Sequence, residues 1–110
     1  IVAELRARGF APHETTDLDE VLPSTDVLYV SNPLPGTMPD ELWARVQHLY
    51  PISLQSMRRA PARMIVMHPF PRGAELDRSF DADARAAYFR QAANGLFVRM
   101  ALLGMLLMTR

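Results

Sequence analysis

The chain has 110 residues, of which 49% are hydrophobic and 22% are charged, a composition typical of a single folded domain. Its 12 basic and 12 acidic residues give a net charge of zero, so charge provides no argument for binding nucleic acid or an anionic membrane. The sequence contains no cysteine, which excludes disulfides, thiolate metal sites and a cysteine nucleophile. Every basic residue is arginine, which excludes a P-loop lysine and a Schiff-base lysine in this sequence.

The first elements predicted along the chain are short. Residues 1–8 have the pattern of the tail of an amphipathic helix, and Gly9 follows as its C-terminal stop. Residues 10–15 are predicted as a short strand, and Thr16 as the N-cap of a helix of one to two turns. Because the sequence opens inside a helical pattern and without methionine, we expect it to be the later part of a longer protein.

The middle of the chain alternates strands and helices. Residues 26–30 are rich in β-branched and aromatic side chains and are predicted as a buried strand. A loop with two prolines follows at 31–36, and apolar residues at helical spacing then predict a helix over 40–50. A short helix through Arg59 is predicted next, capped by Ser53 or Ser56.

The last third contains the most hydrophobic segments. The four apolar residues Met64–Met67 form a run too short for a helix, so residues 63–67 are predicted as a strand buried on both faces, followed by a loop over 68–80. A long helix is predicted from Asp81 or Asp83 to Arg110, with Met100, Met105 and Met108 packed in the core. The apolar block 96–108 is shorter than the roughly 20 residues that span a bilayer, so no membrane insertion is predicted.

Alternation of strands with helices indicates an α/β fold, with a parallel sheet and helices on both faces, as in Rossmann-like domains. About three strands are recognisable, which is few for such a sheet. We therefore expect an incomplete domain that ends in a long C-terminal helix.

The segment Met64-Ile65-Val66-Met67-His68-Pro69-Phe70-Pro71-Arg72 is the strongest candidate for a site. Each proline fixes its own backbone and extends the residue before it, so the strand is expected to end in a stiff segment. Ligands of open α/β sheets bind beyond the carboxyl ends of the strands, where Arg72 and, after the preceding strand, Asn32 are expected. These residues suggest a cleft for a small anion, although a Pro-x-Pro segment that only turns the chain fits equally well.

Histidine and metal chemistry receive less support. His13 is placed in an edge strand and His48 on the exposed side of a helix, whereas His68 lies at the strand end and is expected mainly to hold the loop by hydrogen bonds. No two histidines or carboxylates have metal-ligand spacing, so no metal site is predicted. Residues alone thus indicate an anion-facing cleft without an evident nucleophile or base.

Three segments resemble aspartate carbamoyltransferase, of the aspartate/ornithine carbamoyltransferase family. They are Asp26-Val27-Leu28-Tyr29, the stretch from Met64 to Arg72, and AAYFRQAANGLFVRMALL at 86–103. The resemblance covers nearly the whole chain. It implies that residues 1–110 are the later part of an aspartate-binding domain, and that the N-terminal carbamoyl-phosphate domain lies outside this chain.

The resemblance also implies an activity and partners. Members of the family transfer the carbamoyl group of carbamoyl phosphate to the amine of L-aspartate in pyrimidine biosynthesis, with no metal and no organic cofactor. It implies a homotrimer or a larger assembly in the cytoplasm, without nucleic acid. The backbone at Phe70 and Pro71 occupies positions that contact the carbamoyl group, between His68 and Arg72, and the family usually has leucine at position 70.

One departure from the family pattern is serious. Where the family has Thr-Arg-Val-Gln, this sequence has Ser31-Asn32-Pro33-Leu34. Asn32 and Leu34 therefore replace the arginine and the glutamine that bind the aspartate side chain in the family. Loss of such a desolvated pair costs about 2–5 kcal/mol, or tens- to thousands-fold in affinity. Candidate replacements are Arg45, Arg58 and Arg59. The sequence thus leaves open an enzyme, with aspartate or another amino acid as second substrate, and a catalytically silent scaffolding subunit.

Overall fold

The computed structural model describes residues 1–31, 36–46 and 49–108. Asn32, Leu34 and His48 lie outside the described residues. The α-helices are α1 (Val2–Ala7), α2 (Leu18–Val21), α3 (Asp40–Val46) and α4 (Tyr88–Met108), and the strands are β1 (Val27–Tyr29) and β2 (Ile65–Met67). Short 3₁₀ helices occupy Leu22–Ser24, Ser56–Arg59 and Arg78–Ala82.

The two strands form a parallel pair, with Val27 opposite Ile65 and Tyr29 opposite Met67. The parallel sheet and the long C-terminal helix confirm the predicted α/β class. Because the strands run in the same direction, the chain leaves both of them at the same edge of the sheet. Residues 31 and 68–72 therefore emerge near each other.

The helix ends follow local sequence rules. Gly9 has a φ of +85° directly after α1, a backbone conformation that glycine adopts without a steric penalty. The N-cap of α2 is Asp17, whose carboxylate accepts the N–H of Asp19 at 3.0 Å, so the prediction of Thr16 was wrong by one residue. The 3₁₀ helix Ser56–Arg59 has Gln55 as its N-cap, without a side-chain cap hydrogen bond, so the prediction of Ser53 or Ser56 as the cap was wrong. Ser53 Oγ does accept the N–H of Ser56 at 3.2 Å.

The hydrophobic core lies between the sheet, the 3₁₀ segments and the start of α4. Val66 of β2 is fully buried, whereas Ile65 and Met67 on its other face are only half-buried. The prediction of a strand buried on both faces was therefore wrong for β2. It was also wrong for β1, since Val27 and Tyr29 are 51% and 54% exposed. The largest buried side chains are Tyr88, Phe80, Leu22, Met57, Met64, Leu76, His68 and Val66.

Two further predictions about elements were wrong. Residues 10–15 form no strand, and His13 instead lies 3.2 Å from Glu20. The long helix begins at Tyr88 because the segment before it extends along β2, where Val66 N–H donates to Arg85 at 2.8 Å and Ala87 N–H donates to Val66 at 2.9 Å. A backbone committed to these bonds cannot also form the first turn of a helix.

Helix α4 carries a large exposed apolar surface. Met100, Met105 and Met108 are 60%, 69% and 85% exposed, so the prediction that they lie in the core was wrong. Among the described residues, α4 alone is long and apolar enough to cross a membrane by length and composition. The sequence argument counted only the block at 96–108 and missed this. Such a pattern is weak evidence for insertion, because core helices of water-soluble proteins share it.

Candidate functional site: the turn after the second strand

The segment 68–72 turns sharply at the carboxyl end of β2 and reaches the surface. Pro69 and Pro71 are exposed, and the peptide bond between Phe70 and Pro71 is cis. Phe70 has a φ of +56°, a left-handed conformation that bulky residues rarely adopt. The turn thus exposes its two prolines to the solvent.

The Phe70 ring packs into an aromatic cluster under the turn. Its centroid lies 5.6 Å from the ring of His68, 5.9 Å from that of Tyr88 and 5.8 Å from that of Phe89. The Tyr88 contact is edge-to-face, an arrangement that aromatic pairs favour. The bulk of the Phe70 side chain is accommodated on this inner side of the turn.

His68 is buried and is fixed by a hydrogen bond at each ring nitrogen. The N–H of Phe70 donates to Nδ1 at 2.9 Å, and Nε2 lies 2.9 Å from Glu75 Oε1. Because a backbone N–H can only donate, Nδ1 is the acceptor, and the ring hydrogen is therefore on Nε2, which donates to the carboxylate. His68 thus holds the loop, as the sequence argument expected of it.

Glu75 is the buried acceptor at the centre of this arrangement. Its Oε1 also accepts the N–H of Gly73 at 2.7 Å. Burial acts to raise the pKa of the Glu75 carboxyl, but the hydrogen bonds from the Gly73 backbone, its own backbone and His68 outweigh it, and the pKa is lowered overall. Glu75 is therefore a charged carboxylate at neutral pH, beside a neutral imidazole.

Arg72 does not face an open cleft. Its guanidinium forms a forked ion pair with Asp81, from Nη1 to Oδ1 and from Nη2 to Oδ2 at 2.8 Å, and it is only 18% exposed. Asp81 also accepts the hydroxyl of Tyr88 at 2.6 Å. The hydrogen bonds from Arg72 and then Tyr88 lower the pKa of Asp81 to about 2. Desolvation, reinforced by Asp81, raises the pKa of Tyr88. Through this ion pair within the protein, Arg72 stabilises the turn.

Gln91 on α4 joins the two strand ends. Its side-chain oxygen accepts the N–H of His68 at 2.9 Å, and its nitrogen lies 3.3 Å from the hydroxyl of Tyr29. Sequence reasoning missed Gln91, Glu75 and Asp81 as members of the site. Gln91 does lie within the segment 86–103 that carries the family resemblance, whereas Asp81 was predicted only as a possible start of the long helix. Nearby Asp77 caps a 3₁₀ helix by accepting the N–H of Ser79 at 2.7 Å.

A groove of about 450 Å³ lies next to the turn, between β2 and α4. It is lined by Ile65, Met67, Ala87, Arg90, Gln91, Asn94, Gly95, Val98 and Arg99. None of residues 68–72 lines it, so this groove is distinct from the predicted anion cleft. Among the described residues, no three histidine, aspartate or glutamate side chains lie close enough together to hold a metal ion.

Comparison with known proteins places this architecture in a family. The family model for the Asp/Orn-binding domain of aspartate/ornithine carbamoyltransferase matches residues 2–106. The chain belongs to this family. Among the carbamoyltransferases it resembles, the aspartate carbamoyltransferase catalytic subunit of Thermococcus gammatolerans is 44% identical over 97% of the chain. The multifunctional protein CAD of Squalus acanthias is 40% identical over the same share.

Solved carbamoyltransferase structures have the same fold. Aspartate transcarbamoylase from Trypanosoma cruzi, in complex with carbamoyl phosphate and aspartate, matches 92% of the chain with a TM-score of 0.80 and 40% identity. Its complex with N-(phosphonacetyl)-L-aspartic acid matches the same share with a TM-score of 0.78. The chain spans 35% of the Thermococcus subunit, 5% of the Squalus protein and about a third of these solved chains.

Proposed function

We propose that this chain is the amino-acid-binding half of an aspartate carbamoyltransferase, which carbamoylates L-aspartate with carbamoyl phosphate in pyrimidine biosynthesis. The observation that carries the proposal is the turn at 68–72. Pro69 and Pro71 are exposed in this turn, and hydrogen bonds of the buried His68 side chain hold it in place. In this proposal the backbone at Phe70 and Pro71 contacts the carbamoyl group.

A turn of this kind suits a reaction without a covalent intermediate. Attack of an amine on carbamoyl phosphate is accelerated when the two reactants are held in place and the developing oxyanion meets fixed dipoles. Backbone groups held in one conformation supply such dipoles without reorganisation during the reaction. The carbamoyl-phosphate site, the homotrimer or larger assembly and the cytoplasmic location remain proposals that follow from the family.

Under this proposal, Arg72 stabilises the turn and does not bind the substrate. Its guanidinium is occupied by Asp81, whereas the Arg59 side chain is 64% exposed and lies 3.6 Å from Asp19. The substrate carboxylates therefore require partners other than Arg72. Asn32 and Leu34, at the positions of the family's arginine and glutamine, favour a second candidate function: a catalytically silent subunit with a scaffolding role, or an enzyme for a different amino acid.

Isothermal titration of the full-length natural protein with N-(phosphonacetyl)-L-aspartate tests the proposal. Tight binding supports the aspartate carbamoyltransferase, and a folded protein that does not bind refutes it in favour of the silent subunit. The variant carrying Asn32→Arg and Leu34→Gln together should bind tens- to thousands-fold more tightly. Ser31→Arg adds the same charge one residue away and serves as the control. An equal gain in affinity for this control would mean that the added charge alone is responsible, and not the placement of arginine and glutamine found in the family.

A further inference from the structure

We propose that Glu75 is a positioning residue for the substrate turn: it fixes the Phe70 backbone through His68 without contacting the substrate. This inference rests on the proposed function, in which the backbone at 70–71 contacts the carbamoyl group. The relay consists of Glu75, the His68 ring and the Phe70 N–H, joined by hydrogen bonds of 2.9 Å and 2.9 Å.

The conformation of Phe70 requires such support. A φ of +56° is unfavourable for a residue with a large side chain and persists only where the surroundings impose it. The flanking prolines have no N–H, so the Phe70 N–H is the single backbone donor of residues 69–71. Because His68 accepts this donor, the imidazole holds the turn at its centre.

Glu75 controls His68 in turn. An imidazole accepts at Nδ1 only when the hydrogen is on Nε2, and a carboxylate beside Nε2 favours this tautomer and fixes the ring orientation. His68 is only 1% exposed, so water does not readily replace the carboxylate. Glu75 also accepts the N–H of Gly73, which ties the relay to the chain beyond the turn.

The relay is tested first by amide hydrogen exchange in the full-length protein. Nuclear magnetic resonance reads the exchange of the Phe70 amide directly, and this is the single backbone amide of residues 69–71. Glu75→Ala should lower the protection of this amide at least about tenfold, whereas Glu75→Gln keeps an oxygen acceptor and should change it little. The matched control is Asp83→Asn, which breaks another partly buried ion pair, with Arg85 at 2.8 Å. Unchanged protection in Glu75→Ala, or an equal loss in Asp83→Asn, overturns the relay.

A measurement on the wild-type protein covers the case in which Glu75→Ala does not fold. Nitrogen NMR of His68 should show a neutral ring with the hydrogen on Nε2. A hydrogen on Nδ1 would contradict the relay, because that nitrogen could not then accept the Phe70 N–H.

The consequence for the reaction is tested by kinetics. A misplacement of about 1 Å at a reacting group costs about a hundredfold in rate, so Glu75→Ala should lower kcat for carbamoyl transfer by tenfold or more. Glu75→Gln should restore most of it, and Asp83→Asn should leave it near wild type at matched folded fraction. Unchanged kcat in Glu75→Ala, with an active wild type, refutes the positioning role alone. A wild type that neither reacts nor binds the bisubstrate analogue refutes the proposed function, and the substrate role of Glu75 with it.

Discussion

Replacing Asp81 with asparagine removes the negative partner of Arg72 while keeping an oxygen that can accept from Tyr88. In the native protein, Arg72 is 18% exposed and Asp81 is 31% exposed, and the two side chains form a forked ion pair. After the substitution, the guanidinium remains largely enclosed without a counter-charge. We therefore expect Asp81→Asn to destabilise the folded protein.

Two estimates give a similar magnitude. Removing one partner of a fully buried ion pair costs about 3–5 kcal/mol, and a pair with this partial exposure should lose about 2 kcal/mol. The fall in the pKa of Asp81 from 3.8 to about 2 corresponds to about 2 kcal/mol of linkage, which solvent screening reduces towards about 1 kcal/mol. We expect a loss of about 1–2 kcal/mol at neutral pH.

The assay is urea unfolding of the full-length protein, compared with Asp26→Asn. Asp26 pairs with Arg63 at 3.0 Å, but these side chains are 72% and 78% exposed, so this control should lose less than about 1 kcal/mol. The pKa of Asp81 is lowered by folding, so its contribution is present above pH 3.8 and is lost as the pH falls towards 2. The gap between wild type and Asp81→Asn should therefore narrow over that range. Losses equal in the two variants, or a gap independent of pH, would refute the reasoning.

Three other predictions concern stability. Leu22→Ala truncates a fully buried side chain and should lower the free energy of unfolding in urea by about 2–5 kcal/mol. The control Leu54→Ala, at a half-exposed residue, should lower it by less than about 1 kcal/mol, and similar losses in the two variants would contradict the assigned core. Gly9→Ala should lower the free energy of unfolding by about 1 kcal/mol, because φ is +85° at this residue, and Gly9→Asn should lower it less. Thermal unfolding measures both variants, and a more stable alanine variant would exclude that backbone conformation. Tyr88→Phe loses the 2.6 Å hydrogen bond to Asp81 and should lower the free energy of unfolding by about 1–2 kcal/mol. It should also raise the pKa of Asp81, measured by carbon NMR titration, and an unchanged pKa would contradict the contact.

The sequence pattern predicted correctly those elements that are determined by neighbouring residues in the chain. The apolar run before two prolines predicted β2, and Gly9 predicted the end of α1. The start of α4 was missed because its cause is distant in sequence. Residues 84–87 are rich in alanine and compatible with a helix, but backbone bonds to Val66 hold this segment extended until Tyr88. Single-sequence periodicity contains no information on such a contact.

The turn after β2 was predicted at the right position, but the residues that hold it were predicted only in part. A strand end with a stiff turn and a histidine that holds the loop follows from the positions of the prolines and His68. The partner of Arg72 did not follow, because a protein carboxylate nine residues away satisfies a guanidinium as well as a substrate anion does. Glu75 was missed because its contact with His68 depends on how the chain folds back between residues 68 and 75, which the sequence pattern does not show. Asn32 and Leu34 lie outside the described residues, and their roles stay predictions.

The exposed apolar face of α4 affects how a sample of this chain behaves in solution. Leu106, Leu107 and Met108 are 73–85% exposed, and β1 offers Val27 and Tyr29 at the sheet surface as well. A sample of these 110 residues alone would bring these patches together between molecules, which favours self-association. The apparent molar mass from light scattering of such a sample should therefore rise with concentration, and titrations on it would report self-association instead of ligand affinity.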